Sequence, residues 1–220
     1  MIRILEPELM EGRDQAVAYA EADFSVSNQM YVDAVVARFA GSLKRVLDIG
    51  CGPADVMIRL AMAHPEAEIT AVDGSAEMLR LARMRIEAEG RQEHIRLLHD
   101  TIPGLALPEH GFDAILSKDL LHHLPDPGVL WSEAWRLARS GAAIFVMDLL
   151  RPQTPEAAWE IVDRVAPDAD AILREDFFNS LCAAFTIDEV REQLAAAGLD
   201  LEVVQASDRH LVVSGVVNRS

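Results

Sequence analysis

From residue 43 onward, short runs of β-type residues alternate with stretches whose apolar side chains recur at helical spacing. This alternation is typical of a parallel sheet whose strands are joined by crossover helices. It predicts a doubly wound, Rossmann-like α/β fold, which binds ligands at the carboxyl ends of its strands. The predicted strands are RVLDI (45–49), EITAVD (68–73), HIRLLH (94–99), FDAILS (112–117) and AAIFVMD (142–148).

Two more β runs, LDLEVVQ (199–205) and RHLVVSGVV (209–217), follow later in the sequence and are separated only by ASD. A parallel crossover needs roughly a dozen residues or more, so these two strands are expected to form an antiparallel hairpin. The full prediction is a mostly parallel, seven-stranded sheet with an antiparallel C-terminal hairpin.

The length of the chain suits one hydrophobic core, so we predict a single domain over residues 1–220. Residues 1–42 have helical periodicity without a strand and are expected to form a lid across the mouth of the sheet. Residues 43–150 form the α/β core, and residues 150–185 a mostly helical insertion. A last helix and the hairpin occupy residues 186–220.

Charge and composition exclude several classes of function. The formal net charge is −16, from 36 acidic and 20 basic residues without a dense basic block, which disfavours nucleic acid and anionic lipid as partners. Two cysteines are too few for a disulfide framework. Because no uninterrupted apolar stretch reaches 18 residues and the N-terminus turns acidic early, we expect a cytoplasmic protein without a membrane segment.

The segment VLDIGCGPADV (46–56) is the clearest candidate for a binding loop. A phosphate-binding P-loop requires a Lys followed by Ser or Thr, and this segment contains none of these residues. A dinucleotide-binding loop requires a third glycine where Asp55 stands, and an acid there is unfavourable beside a pyrophosphate. S-adenosylmethionine has no phosphates and carries positive charge, so acids near the loop favour it.

Several segments together resemble the class I S-adenosylmethionine-dependent methyltransferase family. The resemblance covers residues 43–150, agrees with the terminal hairpin, and is greatest to the small-molecule branch typified by quinone-biosynthesis methyltransferases. It implies S-adenosylmethionine as cofactor, S-adenosylhomocysteine as product and a small-molecule acceptor. The matching segments are VLDIGCGPADV, AVDGSAEMLRLAR, RLLHDTIPGL, FDAILSKDLLHHLPDP and AIFVMDLLRP.

Acids at the ends of strands are the main candidate cofactor ligands. Asp48 can accept hydrogen bonds from the ligand ammonium, and Asp73 can accept them from both ribose hydroxyls. NAD-binding domains share the spacing along the sequence between the glycine loop and an acid such as Asp73. The resemblance implies that Asp100 accepts from the adenine amino group. The predicted cofactor-binding residues are Asp48, Gly50, Cys51, Gly52, Asp73, Gly74, Met78, Asp100, Thr101, Ile102, Ser117 and Lys118.

The adjacent His122 and His123 follow the fourth strand and point about 100° apart on a helix, so they are not expected to share one role. His123 is the candidate general base, and His122 is a candidate substrate contact. The sequence offers no further Cys/His cluster to complete a metal site beside them, and none is predicted.

Substrate contacts are expected from the lid and the insertion. An arginine among them would suit a carboxylate or another anionic acceptor. The candidates are Tyr19, Phe24 and Asn28 in the lid, and Arg151, Arg174, Phe177, Phe178 and Asn179 in or near the insertion.

The predicted reaction is direct displacement at the sulfonium, in which the protein aligns the reactants and excludes water. Two alternatives stay open. One is a non-catalytic S-adenosylmethionine-binding protein. The other is an NAD(P)-dependent oxidoreductase, which Asp55 and the antiparallel hairpin disfavour.

Overall fold

The computed structural model describes residues 1–6, 12, 16–17, 19–20 and 22–219. Seven strands form one sheet in the order β3-β2-β1-β4-β5-β7-β6. The strands are β1 (Arg45–Ile49), β2 (Glu68–Asp73), β3 (Ile95–His99), β4 (Phe112–Lys118), β5 (Ala138–Leu149), β6 (Glu202–Gln205) and β7 (His210–Val216).

Helices connect and cover these strands. No helix among the described residues is both long enough and apolar enough to cross a membrane. The helices are α1 (Ser25–Phe39), α2 (Asp55–Ala63), α3 (Ala76–Ala88), α4 (Gly128–Leu137), α5 (Pro155–Val165), α6 (Ala171–Ala183) and α7 (Ile187–Ala196), with short 3-10 turns at Ala40–Ser42 and Leu121–His123.

The pairing of the strands confirms the predicted fold. Strands β1 to β5 pair in parallel, whereas β7 pairs antiparallel with both β5 and β6. The chain order reverses between β1 and β4, which are neighbours at the centre of the sheet. This switch point opens a crevice at the carboxyl ends of the parallel strands.

Two buried apolar clusters cover the two faces of the sheet. One cluster joins residues of α1, α2 and α3 to side chains from β1, β2, β4 and β5. The other joins α4 and α7 to the opposite face of the same strands. The helices thus hold the sheet from both sides and leave its carboxyl edge to the connecting loops.

Strand β5 begins earlier than the sequence indicated. Residues 138–141, which precede the predicted strand 142–148, are also extended, and Ala138 pairs with Phe112 before a register shift. Gly141 has a φ of 80°, which glycine adopts without strain, so the strand continues past the irregularity. Pairing with the neighbouring strand therefore extends β5 beyond the predicted range.

The lid and the insertion lie beside the crevice. Helix α1 packs against α2, and the Tyr31 hydroxyl donates to the carbonyl oxygens of Ser117 and Phe145, both at 3.3 Å. In the insertion, α5 and α6 pack together around their own small apolar cluster, and α6 contacts the turn Leu121–His123. Within the N-terminal segment expected to be helical, residues 7–11, 13–15, 18 and 21 lie outside the described residues.

Candidate active site

A cavity of about 1300 Å³ lies at the carboxyl edge of the parallel strands. Residues that follow β1 to β4 line it, together with residues from the N-terminal region and the insertion. Most of the predicted cofactor residues therefore share one cavity. Those that line it are Asp48, Gly50, Cys51, Gly52, Asp73, Gly74, Met78, Asp100, Thr101, Ile102 and Lys118.

The glycine loop after β1 is held by the neighbouring strand. The backbone amides of Gly50 and Cys51 both donate to the carbonyl oxygen of Val72, at 2.8 and 2.9 Å. Gly50 has a φ of 81° and Gly52 a φ of 52°, both in the left-handed region that glycine favours. The loop thereby turns sharply and brings its backbone to the cavity.

Asp73, at the end of β2, fixes this loop from the other side. One carboxylate oxygen accepts from the amide of Gly52 and the other from the amide of Ser75, each at 2.8 Å. Ser75 in turn caps α3 by accepting from the amide of Met78 at 3.2 Å. Burial raises the pKa of Asp73, and the two hydrogen bonds from backbone amides counteract part of that effect.

Asp48 is the most deeply buried acid of the cavity. Burial, aided by the nearby charge of Asp73, raises the pKa of Asp48 to about 8, although Lys118 acts in the opposite direction. A cationic ligand group beside this carboxyl would favour its ionised form. Burial also raises the pKa of the Cys51 thiol well above its usual value, so this cysteine is not an activated nucleophile.

Asp100 follows β3 and shapes the loop at the far end of the cavity. Its two carboxylate oxygens accept from the amides of Thr101, at 2.9 Å, and Ala106, at 3.2 Å. The amide of Asp100 donates to the carbonyl of Asp73 at 3.3 Å, which connects the two acidic positions. Asp100 therefore caps its own loop and also lines the cavity.

Of the last two residues of β4, one lies in the core and the other lines the cavity. Ser117 is buried, donates to the carbonyl of Ile49 at 2.8 Å, and does not line the cavity, contrary to the expectation that it contacts cofactor. Lys118 lines the cavity and forms an ion pair with Asp119. Burial opposes ionisation of Asp119, but Lys118 lowers the pKa of this carboxyl overall.

Two histidines and two acids meet where the cavity approaches the insertion. The Asp148 carboxylate lies 2.7 Å from Nδ1 of His122, and a Glu6 oxygen lies 3.4 Å from Nε2 of the same ring. The same Glu6 oxygen is 3.2 Å from Nδ1 of His123. Burial disfavours the charged form of His122, but Asp148 and Glu6 raise its pKa overall. The two rings lie against each other with centroids 4.2 Å apart.

The predicted lid residues line the cavity. The rings of Tyr19 and Phe24 are in contact, with centroids 4.9 Å apart. Asn28 donates to Asp55 at 2.8 Å, and Arg59 donates to the same carboxylate oxygen at 2.8 Å. This link ties α1 to the first turn of α2.

Within the insertion, only part of the predicted substrate set reaches the cavity. Asn179 and Phe177 line it, whereas Arg151, Arg174 and Phe178 do not. Their side chains are engaged elsewhere. Arg151 binds Glu189 and the Ala184 carbonyl, Arg174 binds Asp163 and the Ala166 carbonyl, and Phe178 stacks on Trp159 with centroids 4.4 Å apart. Neither arginine lines the cavity in this structure, and a substrate-binding role for either stays a prediction.

Sequence reasoning missed some residues of the cavity. Asp55 and Arg59 line it beside the glycine loop, and Asp119 lines it beside Lys118. Glu6 reaches it from a segment far from the histidines in sequence. Asp119 carries a detectable signal because it lies two residues after the predicted strand 112–117, whereas no local pattern marks Glu6.

Comparison with protein families identifies the α/β core. A family described as "Methyltransferase domain" matches residues 46–141, which include the glycine loop, Asp73, Asp100 and the histidine pair. The matched segment thus contains most of the cavity wall that the core contributes.

Sequence relatives also carry methyltransferase names. An uncharacterized methyltransferase of Mycobacterium tuberculosis is 36% identical over 121 residues, which are 55% of this chain and 58% of that protein. A ubiquinone biosynthesis O-methyltransferase of Xanthomonas campestris is 34% identical over 131 residues, 59% of this chain and 52% of that protein. The chain therefore matches little more than half the length of these relatives.

Solved structures share the fold at low sequence identity. A SAM-dependent methyltransferase from Aquifex aeolicus superposes with a TM-score of 0.69 at 20% identity, covering 90% of this chain and 96% of that one. A plantazolicin methyltransferase crystallised with SAH gives 0.72 at 14% identity, covering 94% and 92%. Residues 46–141 match a methyltransferase domain, and the chain shares its fold with solved S-adenosylmethionine-dependent methyltransferases.

Proposed function

We propose that this protein transfers a methyl group from S-adenosylmethionine to a small-molecule acceptor. The observation that carries the proposal is the row of acids at the ends of three adjacent strands. Asp48 is the penultimate residue of β1, Asp73 ends β2 and Asp100 follows β3, and all three line the cavity beside the glycine loop. A row of acids suits a ligand that has a cationic end and neutral hydroxyl and amino groups, and no phosphate.

Each part of the cofactor has a proposed partner in this row. Asp48 binds the ammonium of the methionine portion, for which its buried carboxyl becomes ionised. The backbone of Gly50 and Gly52 lies along the same portion. Asp73 accepts hydrogen bonds from the ribose hydroxyls through the carboxylate lone pairs that its two hydrogen bonds from backbone amides do not use. Asp100 accepts from the adenine amino group.

When bound, S-adenosylmethionine supplies an electrophilic methyl group that the acceptor displaces directly. The chain contributes alignment and exclusion of water, which are worth several kcal/mol of barrier in well-oriented reactions. Tyr19, Phe24 and Asn28 cover the cavity from the lid, and Asn179 faces it from the insertion. His122 and His123 stand at the acceptor end, where His123 was the candidate base.

A cavity of about 1300 Å³ exceeds the ordinary range of about 300–1,000 Å³ for small-molecule sites, so it has room for cofactor and acceptor together. The ubiquinone biosynthesis O-methyltransferase relative supports a small acceptor of the phenol or quinol type. Because Arg151 and Arg174 are engaged in ion pairs away from the cavity, the structure offers no support for selection of an anionic acceptor by these residues.

Calorimetric titration with S-adenosylmethionine, S-adenosylhomocysteine and NAD tests the cofactor. We expect binding of both adenosyl ligands and none of NAD. NAD binding without a response to either adenosyl ligand would overturn the proposal in favour of an oxidoreductase.

A methyl-donor screen then tests the reaction, with phenols, quinols, amines, thiols and carboxylates as acceptors. Formation of S-adenosylhomocysteine that depends on one acceptor class supports catalysis and identifies the accepting atom. Binding of cofactor without turnover on any of them would favour the non-catalytic alternative.

A further inference from the structure

We propose that Glu6, His122 and His123 form a binding site for a divalent transition-metal ion of the zinc type. One ligand atom from each of these residues lies within 4.8 Å of the other two, and the Oε1 atom of Glu6 is close to both Nε2 of His122 and Nδ1 of His123. Two imidazoles and one carboxylate are a common ligand set for catalytic zinc, in which the fourth position stays open. All three residues line the cavity.

The distances agree with tetrahedral coordination. Ligand atoms about 2.0–2.1 Å from a tetrahedral zinc ion lie roughly 3.3–3.4 Å from one another. The Glu6 oxygen is 3.4 Å from Nε2 of His122 and 3.2 Å from Nδ1 of His123. The Glu6 oxygen is therefore at a suitable distance from each histidine nitrogen to share one metal ion with it.

A buried carboxylate holds His122 in the orientation that metal binding requires. Asp148 lies 2.7 Å from Nδ1 of His122 and also accepts from the amides of Leu121, at 2.7 Å, and Leu149, at 2.8 Å. Donation from Nδ1 to this fixed carboxylate leaves the lone pair of Nε2 directed at Glu6. Metal-binding histidines are usually oriented by such an outer carboxylate.

The contact between His122 and Glu6 requires a positive centre. A neutral imidazole lone pair and a carboxylate oxygen at 3.4 Å repel each other unless a cation lies between them. That cation is either a proton, which makes the group a proton relay, or a metal ion. A proton needs only the two atoms it bridges, whereas a metal ion needs at least three ligands, and His123 supplies the third beside the same Glu6 oxygen.

Glu6 is held in position by its own segment. Arg3 donates to the carbonyls of His122, at 2.8 Å, and Leu124, at 3.0 Å, and its guanidinium lies over the ring of Phe185. The Ser180 hydroxyl donates to Glu6 at 3.1 Å. These contacts bring the carboxylate against the histidine pair with its position restricted, as expected of a ligand.

The role of the metal ion in catalysis rests on the proposed function. Because the three residues line the cavity, a fourth ligand position on such an ion would be accessible to an oxygen of a hydroxyl-bearing acceptor. Coordination would lower the pKa of that hydroxyl, whose proton leaves to solvent while the oxygen keeps the electron pair. This pair forms the new carbon–oxygen bond, and the pair of the broken carbon–sulfur bond stays on sulfur.

Metal binding can be tested without cofactor or acceptor. The full chain, stripped with a chelator, is titrated with Zn²⁺ by calorimetry and with Co²⁺ by visible absorption. We expect one ion per chain and the intense absorption bands of a four-coordinate Co²⁺ site. Glu6→Gln and His123→Ala should each weaken Zn²⁺ binding by tenfold or more. The matched control is His64→Ala, because His64 forms a similar pair with Glu66, 3.1 Å apart, away from the cavity.

Absence of stoichiometric binding, or equal binding in the wild-type and in Glu6→Gln and His123→Ala, would overturn the metal site and leave the proton relay. Thermal unfolding of each variant shows whether it is folded. If His123→Ala does not fold, Glu6→Gln still tests the site, because glutamine keeps the shape of the glutamate side chain. Because these titrations contain no S-adenosylmethionine, they are independent of cofactor binding, so a failure of the proposed function and a failure of the metal site are distinguishable.

Discussion

The carboxylate of Asp73 accepts a hydrogen bond of 2.8 Å from the backbone amide of Gly52, which joins the end of β2 to the glycine loop after β1. One side chain therefore both shapes the loop and presents an acid to the cavity. Gly52 and Asp73 are distant in sequence. They are adjacent in space because β1 and β2 are parallel neighbours.

Asp73→Ala should weaken binding of S-adenosylhomocysteine by about tenfold, or about 1.4 kcal/mol, because the ribose hydroxyls lose an ionised acceptor. Calorimetric titration measures the change. Asp126→Ala is the control, because the Asp126 carboxylate also accepts from a backbone amide, that of Gly128 at 2.9 Å, but does not line the cavity. Wild-type affinity in Asp73→Ala would show that the cofactor does not use this acid.

Gly52→Ala should lose cofactor affinity beyond its effect on stability. Gly52 has a φ of 52° with no atom within 4 Å of an added Cβ, and it lines the cavity. The left-handed conformation costs alanine about 1 kcal/mol, and the new methyl group would occupy space beside the bound ligand.

Gly90→Ala is the matched control for that variant. Gly90 has a φ of 63°, also with no atom within 4 Å of an added Cβ, but it lies outside the cavity. Urea denaturation should show similar destabilisation of the two variants, and titration with S-adenosylhomocysteine should show weaker binding only for Gly52→Ala. Equal affinity in both would contradict the assignment of this loop to the cofactor.

Much of the cavity could be predicted because its acids are encoded locally. Asp48 lies near the end of a run of β-type residues, Asp73 ends one and Asp100 directly follows one, and parallel strands bring their carboxyl ends to one edge. Sequence order and strand direction are then sufficient to predict that these side chains share a site. Their individual roles toward the cofactor stay predictions.

Contacts between distant segments could not be predicted in this way. The partners of His122 are Asp148, which lies near the end of β5, and Glu6, which no periodicity connects to the histidines. Arg151 follows β5 as expected, but its side chain turns toward Glu189 on α7 rather than toward the cavity. Side-chain direction at the end of a strand depends on such tertiary partners, which a single sequence does not specify.

The raised pKa of Asp48, about 8, predicts pH-dependent cofactor binding. Below this pH the empty site holds a neutral carboxyl, and binding of the ligand ammonium requires that the proton leave. The affinity for S-adenosylhomocysteine should therefore rise as the pH increases from 6 to 8, by up to about tenfold per pH unit. Titrations in wild-type and in Asp48→Asn measure this, and the variant should bind more weakly with a smaller dependence on pH.

The raised pKa of the Asp48 carboxyl also predicts that the free energy of unfolding falls as the pH rises, whereas the cofactor affinity increases. Between the unfolded pKa of about 3.9 and the folded value of about 8, the native state holds a proton that the unfolded state has released. Asp48 therefore lowers the free energy of unfolding progressively as the pH rises through this window. Urea denaturation without ligand should show that Asp48→Asn gains stability over wild-type at pH 8 compared with pH 5. A constant difference would contradict a raised pKa.

Arg151→Ala should destabilise the fold without affecting the site. The Arg151 side chain is 7% exposed and binds Glu189 at 2.6 Å and the Ala184 carbonyl at 3.2 Å. Because the Glu189 side chain is 38% exposed, water can replace part of this interaction, and we expect a loss of about 1–2 kcal/mol in the free energy of unfolding.

The control is Arg191→Ala, in the exposed pair with Asp188, which should cost less than about 0.5 kcal/mol. Denaturant unfolding tests both values, and S-adenosylhomocysteine should bind both variants with wild-type affinity. A stable Arg151→Ala protein with impaired binding would instead assign Arg151 to the site.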